Sequence, residues 1–80
     1  MLTEYLRAAM RRARYEILSD DGSFYGEILE LPGVWANAKT LEGCREELEK
    51  TLEDWILMSA SKNLSVPDLD GVSLPTVHAV

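Results

Sequence analysis

Five acidic side chains in the first half of the sequence are the first candidates for chemistry: Glu16, Asp20, Asp21, Glu27 and Glu30. Carboxylates that converge on magnesium ions support ribonuclease-H-type catalysis. Here two of the five, Asp20-Asp21, fall where a turn is expected, and the glutamates alternate with apolar residues as on the solvent side of strands. The pattern favours solvated acids, with no catalytic residue, no metal ligand and no cofactor. A small magnesium-dependent nuclease is the less favoured alternative.

Cys44 and His78 are the other side chains with chemical potential. Cys44 lies near the start of a predicted helix, where a thiolate nucleophile would be stabilised. It also belongs to the apolar stripe of that helix, which favours a buried packing cysteine. His78, the one histidine, is interpreted as a surface residue near the end of the chain. A single cysteine and a single histidine exclude an internal disulfide framework and a His/Cys metal cluster.

Charge is distributed unevenly along the sequence. Residues 1–14 hold four arginines against one glutamate, whereas residues 15–80 hold four cations against thirteen acids. A basic stripe can grip phosphate, but the acidic body repels nucleic acid. We therefore interpret the arginines as an exposed face that pairs with the acidic body or an acidic neighbour. The acidic body predicts a basic protein partner, and no direct DNA binding is expected.

The elements that must position these residues follow from hydrophobic spacing, caps and turn residues. In chain order they are a helix over 3–13, strands over 15–18, 24–29 and 35–39, a helix capped by Thr40 and ending at Asn63, and a short strand over 72–77. This order predicts an α+β fold, α-β-β-β-α-β. A small, mainly antiparallel sheet of three or four strands would carry one long helix on a face, with an extra helix at the N-terminus. We assign one domain, in which a basic helix (1–14) and a loop with an edge strand (64–80) flank a β-β-β-α core (15–63).

The long helix has two different surfaces. An apolar stripe of Leu41, Cys44, Leu48, Leu52, Trp55, Ile56 and Ser59 is predicted to face the sheet. Three glutamates on the opposite face are candidates for binding a basic partner: Glu46, Glu49 and Glu53. Near its end the helix is apolar almost all round and must be covered. The resulting candidates for an oligomer interface are Leu6 and Met10 of the first helix and Trp55, Ile56, Leu57 and Met58.

Two aromatic residues of the predicted strands, Tyr25 and Trp35, are further candidates for partner binding. Aromatic side chains anchor protein interfaces, and they are equally expected in a small core. The sequence leaves both interpretations open. A sheet covered by one helix has a second face, so one side of these strands needs another cover.

The ordered set of motifs resembles the HicB-like antitoxin family over about residues 15–67. The resemblance rests on a glycine-containing hairpin, an L-P-G turn, a T-L-E helix start and the helix that follows, at 22–27, 31–34, 40–42 and 44–48. It implies a degraded ribonuclease-H-like fold with no nuclease activity of its own. It also implies a partner, a small basic HicA-type ribonuclease that cuts messenger RNA and whose active site the antitoxin covers.

The sequence departs from the family at both ends. Many such antitoxins carry a C-terminal DNA-binding module, and the residues after 67 are too few for one. A helix also precedes the first strand. The alternative to a toxin-binding antitoxin is therefore a solitary oligomer with no toxin partner.

Size and composition give expectations about the oligomeric state and the cellular location. A chain of 80 residues is marginally stable alone, so self-association into a dimer or tetramer is expected. No apolar run is long enough to cross a membrane, and no signal peptide is apparent. A cytoplasmic location is therefore expected.

Overall fold

The computed structural model describes residues 2–62 and 66–72, which form two helices and three strands. The elements are α1 (Leu2–Arg11), β1 (Arg14–Ile17), β2 (Phe24–Glu27), β3 (Trp35–Ala38) and α2 (Leu41–Ser61). The strands form one antiparallel sheet in the order β1-β2-β3, and α2 packs on it. The predicted α+β class is confirmed.

The local signals mark the start of α2 and the turn before β3 as expected. Thr40 Oγ1 accepts a hydrogen bond from the Gly43 amide at 3.0 Å and caps the helix. The Leu31 carbonyl accepts from the Val34 amide at 3.0 Å, and Gly33 adopts a φ of +96° that its lack of a side chain permits. Lys62 is the C-terminal cap, and Asn63 lies outside the described residues.

The last predicted strand, 72–77, lies mostly outside the described residues. Its first residue, Val72, bridges to Leu69 in a tight local turn rather than pairing with the three-stranded sheet. In the described part of the chain neither helix combines the length and apolar character needed to cross a bilayer.

The core lies between α2, the sheet and the loop that joins β2 to β3. Leu48, Leu52 and Ile56 of α2 pack in one cluster with Ile28 and other loop residues. Ile56 is only 3% exposed, so it cannot serve in an oligomer interface as predicted. Ile56 lies on the sheet-facing stripe of α2, and helical spacing separates it from the exposed residues that follow.

The first helix is held to the core by small residues and one tyrosine. Tyr5, Ala8 and Ala9 are fully buried, while Leu6 and Met10 are half-buried beside them. The Tyr5 hydroxyl donates to the Pro67 carbonyl at 2.6 Å. The buried face of α1 is therefore centred on Tyr5.

Arg12, directly after α1, forms ion pairs with acidic residues of two loops that are distant in sequence. The Arg12 guanidinium lies 2.6 Å from the Glu30 carboxylate and 2.7 Å from the Asp70 carboxylate. All three side chains are partly exposed, so solvent screens the ion pairs. The predicted pairing of the basic helix with the acidic body is thus made chiefly by Arg12.

The ion pair predicts how stability depends on pH. The hydrogen bond from Arg12 holds the pKa of Glu30 below its ordinary value of 4.5, so the unfolded chain binds this proton more readily than the folded one. Glu30 therefore contributes its full stabilisation above pH 4.5. This contribution is lost as the pH falls through the lowered pKa. In urea unfolding, the deficit of Glu30→Gln relative to wild type is expected to be greatest above pH 4.5 and to shrink as the pH falls.

A matched control is Glu46→Gln, which removes an exposed carboxylate from α2. The free energy of unfolding of Glu46→Gln is expected to change with pH in the same way as that of wild type. A Glu30→Gln curve that also runs parallel to that of wild type would contradict the role given to the Arg12 pair.

Candidate protein interface

The sheet has one face against α2 and one that no described residue covers. Gly26 lies opposite both Tyr15 and Ala36, and a Cβ on Gly26 would lie 3.1 Å from Cys44 Sγ of α2. The face that carries Gly26 is therefore the one under the helix. Because successive residues alternate, the other face carries Arg14, Glu16, Tyr25, Glu27, Trp35 and Asn37. We call these six residues the aromatic sheet face.

An aromatic stack forms the centre of this face. The rings of Tyr25 and Trp35 have centroids 6.1 Å apart and planes inclined by 25°. The two residues are diagonal neighbours on β2 and β3, since Tyr25 lies opposite Asn37 and Trp35 lies opposite Glu27. Trp35 is 56% exposed. Large exposed aromatic side chains with a fixed geometry are the usual anchors of protein interfaces.

Two carboxylates flank the stack and help to raise the pKa of its tyrosine. Glu16 of β1 lies directly opposite Tyr25, and Glu27 lies two residues after Tyr25 on β2, opposite Arg14. Partial burial first, and then the negative charge of Glu27 and Glu16, raise the pKa of Tyr25. The tyrosine therefore stays neutral and keeps a hydroxyl donor. The face combines an aromatic stack with two glutamates and one arginine, and this net negative charge beside the rings suits an arginine or lysine side chain.

Asn37 is a member of this face that sequence reasoning missed. Its Nδ2 donates to Ser23 Oγ at 2.9 Å and to the Phe24 carbonyl at 2.8 Å. These bonds fix its side chain beside the stack. The alternation within Trp35-Ala-Asn-Ala could have placed Asn37 on the same face as Trp35.

The structure separates the two groups of predicted partner-binding residues. Glu46, Glu49 and Glu53 are exposed on α2, whose buried stripe of Cys44, Leu48, Leu52, Ile56 and Ser59 faces the sheet. The outer side of α2 and the aromatic sheet face therefore point in opposite directions. One compact partner contacts one or the other.

The five acidic candidates for metal binding are dispersed. Glu16 and Glu27 lie on the aromatic sheet face, and Glu30 is paired with Arg12. Asp21 accepts a hydrogen bond from the Ser23 amide at 2.9 Å, and bonds from Ser23 lower the pKa of the Asp21 carboxyl. Over residues 2–62 and 66–72, no three His, Cys, Asp or Glu side chains are grouped as a metal site would require.

Cys44 has the environment of a packing residue. It is fully buried, and its thiol donates to the Ala36 carbonyl at 3.6 Å. Burial raises the pKa of the thiol, which keeps it from forming the thiolate that a nucleophile needs. His78 lies outside the described residues.

A groove separates α1 from the first half of α2. Its volume is about 750 Å³, and Leu6, Met10, Tyr15 and Leu41 give it an apolar lining. Charged side chains of both signs line it as well: Arg7, Arg11, Glu42, Arg45 and Glu49. Leu41, predicted to face the sheet, is exposed here because it begins α2 beyond the end of β3. Farther along α2, Leu57 is 64% exposed, Met58 is also exposed and Trp55 is half-buried.

Comparison with known proteins places this arrangement in a family. The sequence pattern of UPF0150-like proteins matches residues 4–67. The chain belongs to the UPF0150-like family. Its structure also resembles the crystal structure of TTHA0281 from Thermus thermophilus, with a TM-score of 0.87 and 45% sequence identity. The similarity covers 96% of this chain and 95% of TTHA0281. No curated protein matches the chain.

The UPF0150-like match includes every part of the candidate interface. It begins in α1 at Glu4 and ends at Pro67, whose carbonyl accepts the Tyr5 hydrogen bond. The aromatic sheet face and the groove therefore both belong to the UPF0150-like domain.

Proposed function

We propose that this chain is a non-catalytic, antitoxin-like interaction module that acts in the cytoplasm and binds a small basic ribonuclease of the HicA type. The observation that carries the proposal is the stack of exposed Trp35 on half-buried Tyr25, beside Glu16 and Glu27, on a sheet face that no described residue covers. The resemblance of the motif order to HicB-like antitoxins supplies the class of partner. The net charge of −6 supports a basic one.

The aromatic sheet face suits this task physically. A partner lysine or arginine placed over Trp35 gains from the ring and from Glu27 directly opposite it in the sheet. The two rings are held by β2 and β3, so little side-chain freedom is lost on binding. The bound module would inhibit the ribonuclease by covering its active site, and it needs no catalytic group of its own.

The test of this function is direct binding to a HicA-type ribonuclease encoded beside the gene. Trp35→Ala is expected to weaken the complex by at least about 2 kcal/mol, roughly thirtyfold in Kd, because it removes the central anchor. Isothermal titration calorimetry measures the loss, and a messenger-RNA cleavage assay is expected to show a matching loss of inhibition.

Two charge-reversal variants identify the face that is used. Glu16→Lys with Glu27→Lys changes the aromatic sheet face, and Glu46→Lys with Glu53→Lys changes α2 by the same net charge. The first pair is expected to weaken binding far more than the second. Equal losses, or a larger loss from α2, would contradict the assignment to the sheet face. Failure of the wild-type proteins to bind would refute the antitoxin function.

The second candidate function is a solitary oligomer with no toxin. It is supported by Leu57 and Met58, which are apolar and exposed near the end of α2. The absence of any basic ribonuclease gene beside this one would favour it.

A further inference from the structure

The outer edge of β1 offers unpaired backbone groups. The Leu18 amide donates to the Ser23 carbonyl at 2.8 Å, which makes Leu18 and Ser23 a hydrogen-bonded pair in the ladder. Because such pairs alternate along antiparallel strands, Arg14 and Glu16 direct their backbone groups toward β2. Tyr15 therefore directs its N–H and C=O outward, as Ile17 does. No described residue outside β1 bonds to these outward groups.

The side chains of this edge are exposed on both faces. All four residues of β1 are exposed. Ile17 is 66% exposed, although it lies on the side of the sheet that faces α2. Natural edge strands are usually shielded by a covering element or by charges that point inward. Here the two residues of β1 on the α2 side of the sheet are uncharged: Tyr15, which lines the open groove between α1 and α2, and Ile17.

We propose that β1 pairs with β1 of a second copy in antiparallel orientation, with the two-fold axis at Tyr15. In this register the two Tyr15 residues form a hydrogen-bonded pair, as their outward backbone groups require. Arg14 then lies directly opposite Glu16 of the second copy, and this contact occurs twice. Opposite charges in such positions stabilise strand pairing.

The neighbouring registers lack this complementarity. An axis at Glu16 places the two glutamates directly opposite each other, which is unfavourable. An axis at Ile17 places Glu16 opposite Leu18 of the second copy and Arg14 opposite Asp20, which lies in the turn beyond β1 and not on the strand. The alternation Arg-Tyr-Glu-Ile therefore selects Tyr15 as the centre.

The pairing also accounts for the exposed isoleucine. On the α2 side of the sheet, Ile17 of the second copy lies diagonally next to Tyr15, which lines the groove together with Leu6 and Met10. Each copy would thus cover apolar groove surface of the other. The pairing joins the two three-stranded sheets edge to edge into one continuous sheet. The two aromatic sheet faces then lie on the same side of that sheet. This inference does not rest on the proposed function, since it is argued from the backbone groups and charges of β1, although Arg14 and Glu16 belong to both surfaces.

A charge swap tests the pairing by analytical ultracentrifugation at low ionic strength. Arg14→Glu and Glu16→Arg are each expected to raise the dimer dissociation constant about tenfold, because like charges then meet twice. The double variant, Arg14→Glu with Glu16→Arg, is expected to restore wild-type association. The control Lys50→Glu changes an exposed residue of α2 by the same charge as Arg14→Glu and is expected to leave the dimer intact. Thermal unfolding of each variant separates lost association from lost folding.

A cysteine pair tests the register. Arg14→Cys protein is mixed with Glu16→Cys protein, each also carrying Cys44→Ala. The predicted register brings these two positions to about 4.5 Å between Cα atoms, within disulfide range. A mixed disulfide dimer is expected from the mixture, in excess over either variant alone. A wild-type protein that sediments as a monomer at micromolar concentration, or a dimer that neither the charge variants nor the cysteines affect, would overturn the proposal.

Discussion

Replacing Leu52 by alanine is expected to lower the free energy of unfolding by about 2–5 kcal/mol. Leu52 is fully buried where α2 meets the core cluster. Its truncation removes apolar contacts and leaves a cavity that the surrounding side chains fill only partly. A small domain has about 5–15 kcal/mol of total stability, so this one change removes a large share of it. Urea unfolding followed by circular dichroism measures the loss.

The control for Leu52 is a second leucine of the same helix. Leu57 is 64% exposed, and Leu57→Ala is expected to change the free energy of unfolding by no more than about 0.5 kcal/mol. Both substitutions have the same effect on helix propensity, so their difference reports burial alone. Comparable losses at the two positions would show that α2 does not pack on the sheet along the stripe described above.

Replacing Tyr5 by alanine is expected to cost about 3–5 kcal/mol. The Tyr5 ring is fully buried, and its hydroxyl donates to the Pro67 carbonyl. The substitution therefore loosens α1 and the 66–72 loop together. Urea unfolding measures the overall loss. Hydrogen exchange is expected to show faster exchange of the Leu69 amide, which donates to the Val72 carbonyl, and of the Val72 amide, which donates to the Leu69 carbonyl.

Tyr5→Phe separates the ring from its hydroxyl. It keeps the buried ring and removes one hydrogen bond, so a loss of about 0.5–1.5 kcal/mol is expected. If Tyr5→Phe costs as much as Tyr5→Ala, the hydrogen bond rather than the packed ring holds α1 in place. If neither substitution changes stability, α1 does not contribute to the core.

The surfaces of the UPF0150-like domain have separate chemistry. The aromatic sheet face is flat, acidic and preorganised, which suits a basic partner. The edge of β1 offers backbone groups with alternating charge, which suits a second copy. A dimer formed through β1 would present two aromatic sheet faces on one side, so a ribonuclease partner would meet a bivalent surface. The outer glutamates of α2 lie on the other side and are left free by both contacts.

Local patterns in the sequence determined the five elements that the structure describes and their order. The Thr40 cap, the Leu31–Val34 turn and the strand alternation each depend on neighbouring residues, and all are present in the structure. The spacing of Cys44, Leu48 and Leu52 likewise identified the buried stripe of α2, because helical periodicity is a local property. The α+β class followed from this order.

Only the tertiary structure decided which residues share a surface. The run of apolar residues near the end of α2 grouped Ile56 with Leu57 as interface candidates, yet the packing of α2 on the sheet buries Ile56 and leaves Leu57 exposed. Tyr25 and Glu46 were both assigned to partner binding, and the antiparallel register places them on opposite sides of the molecule. Tyr5 bonds to Pro67, and Arg12 pairs with Glu30 and Asp70. All of these partners are distant in sequence. Such contacts depend on how separate elements pack together, and local sequence patterns do not specify that packing.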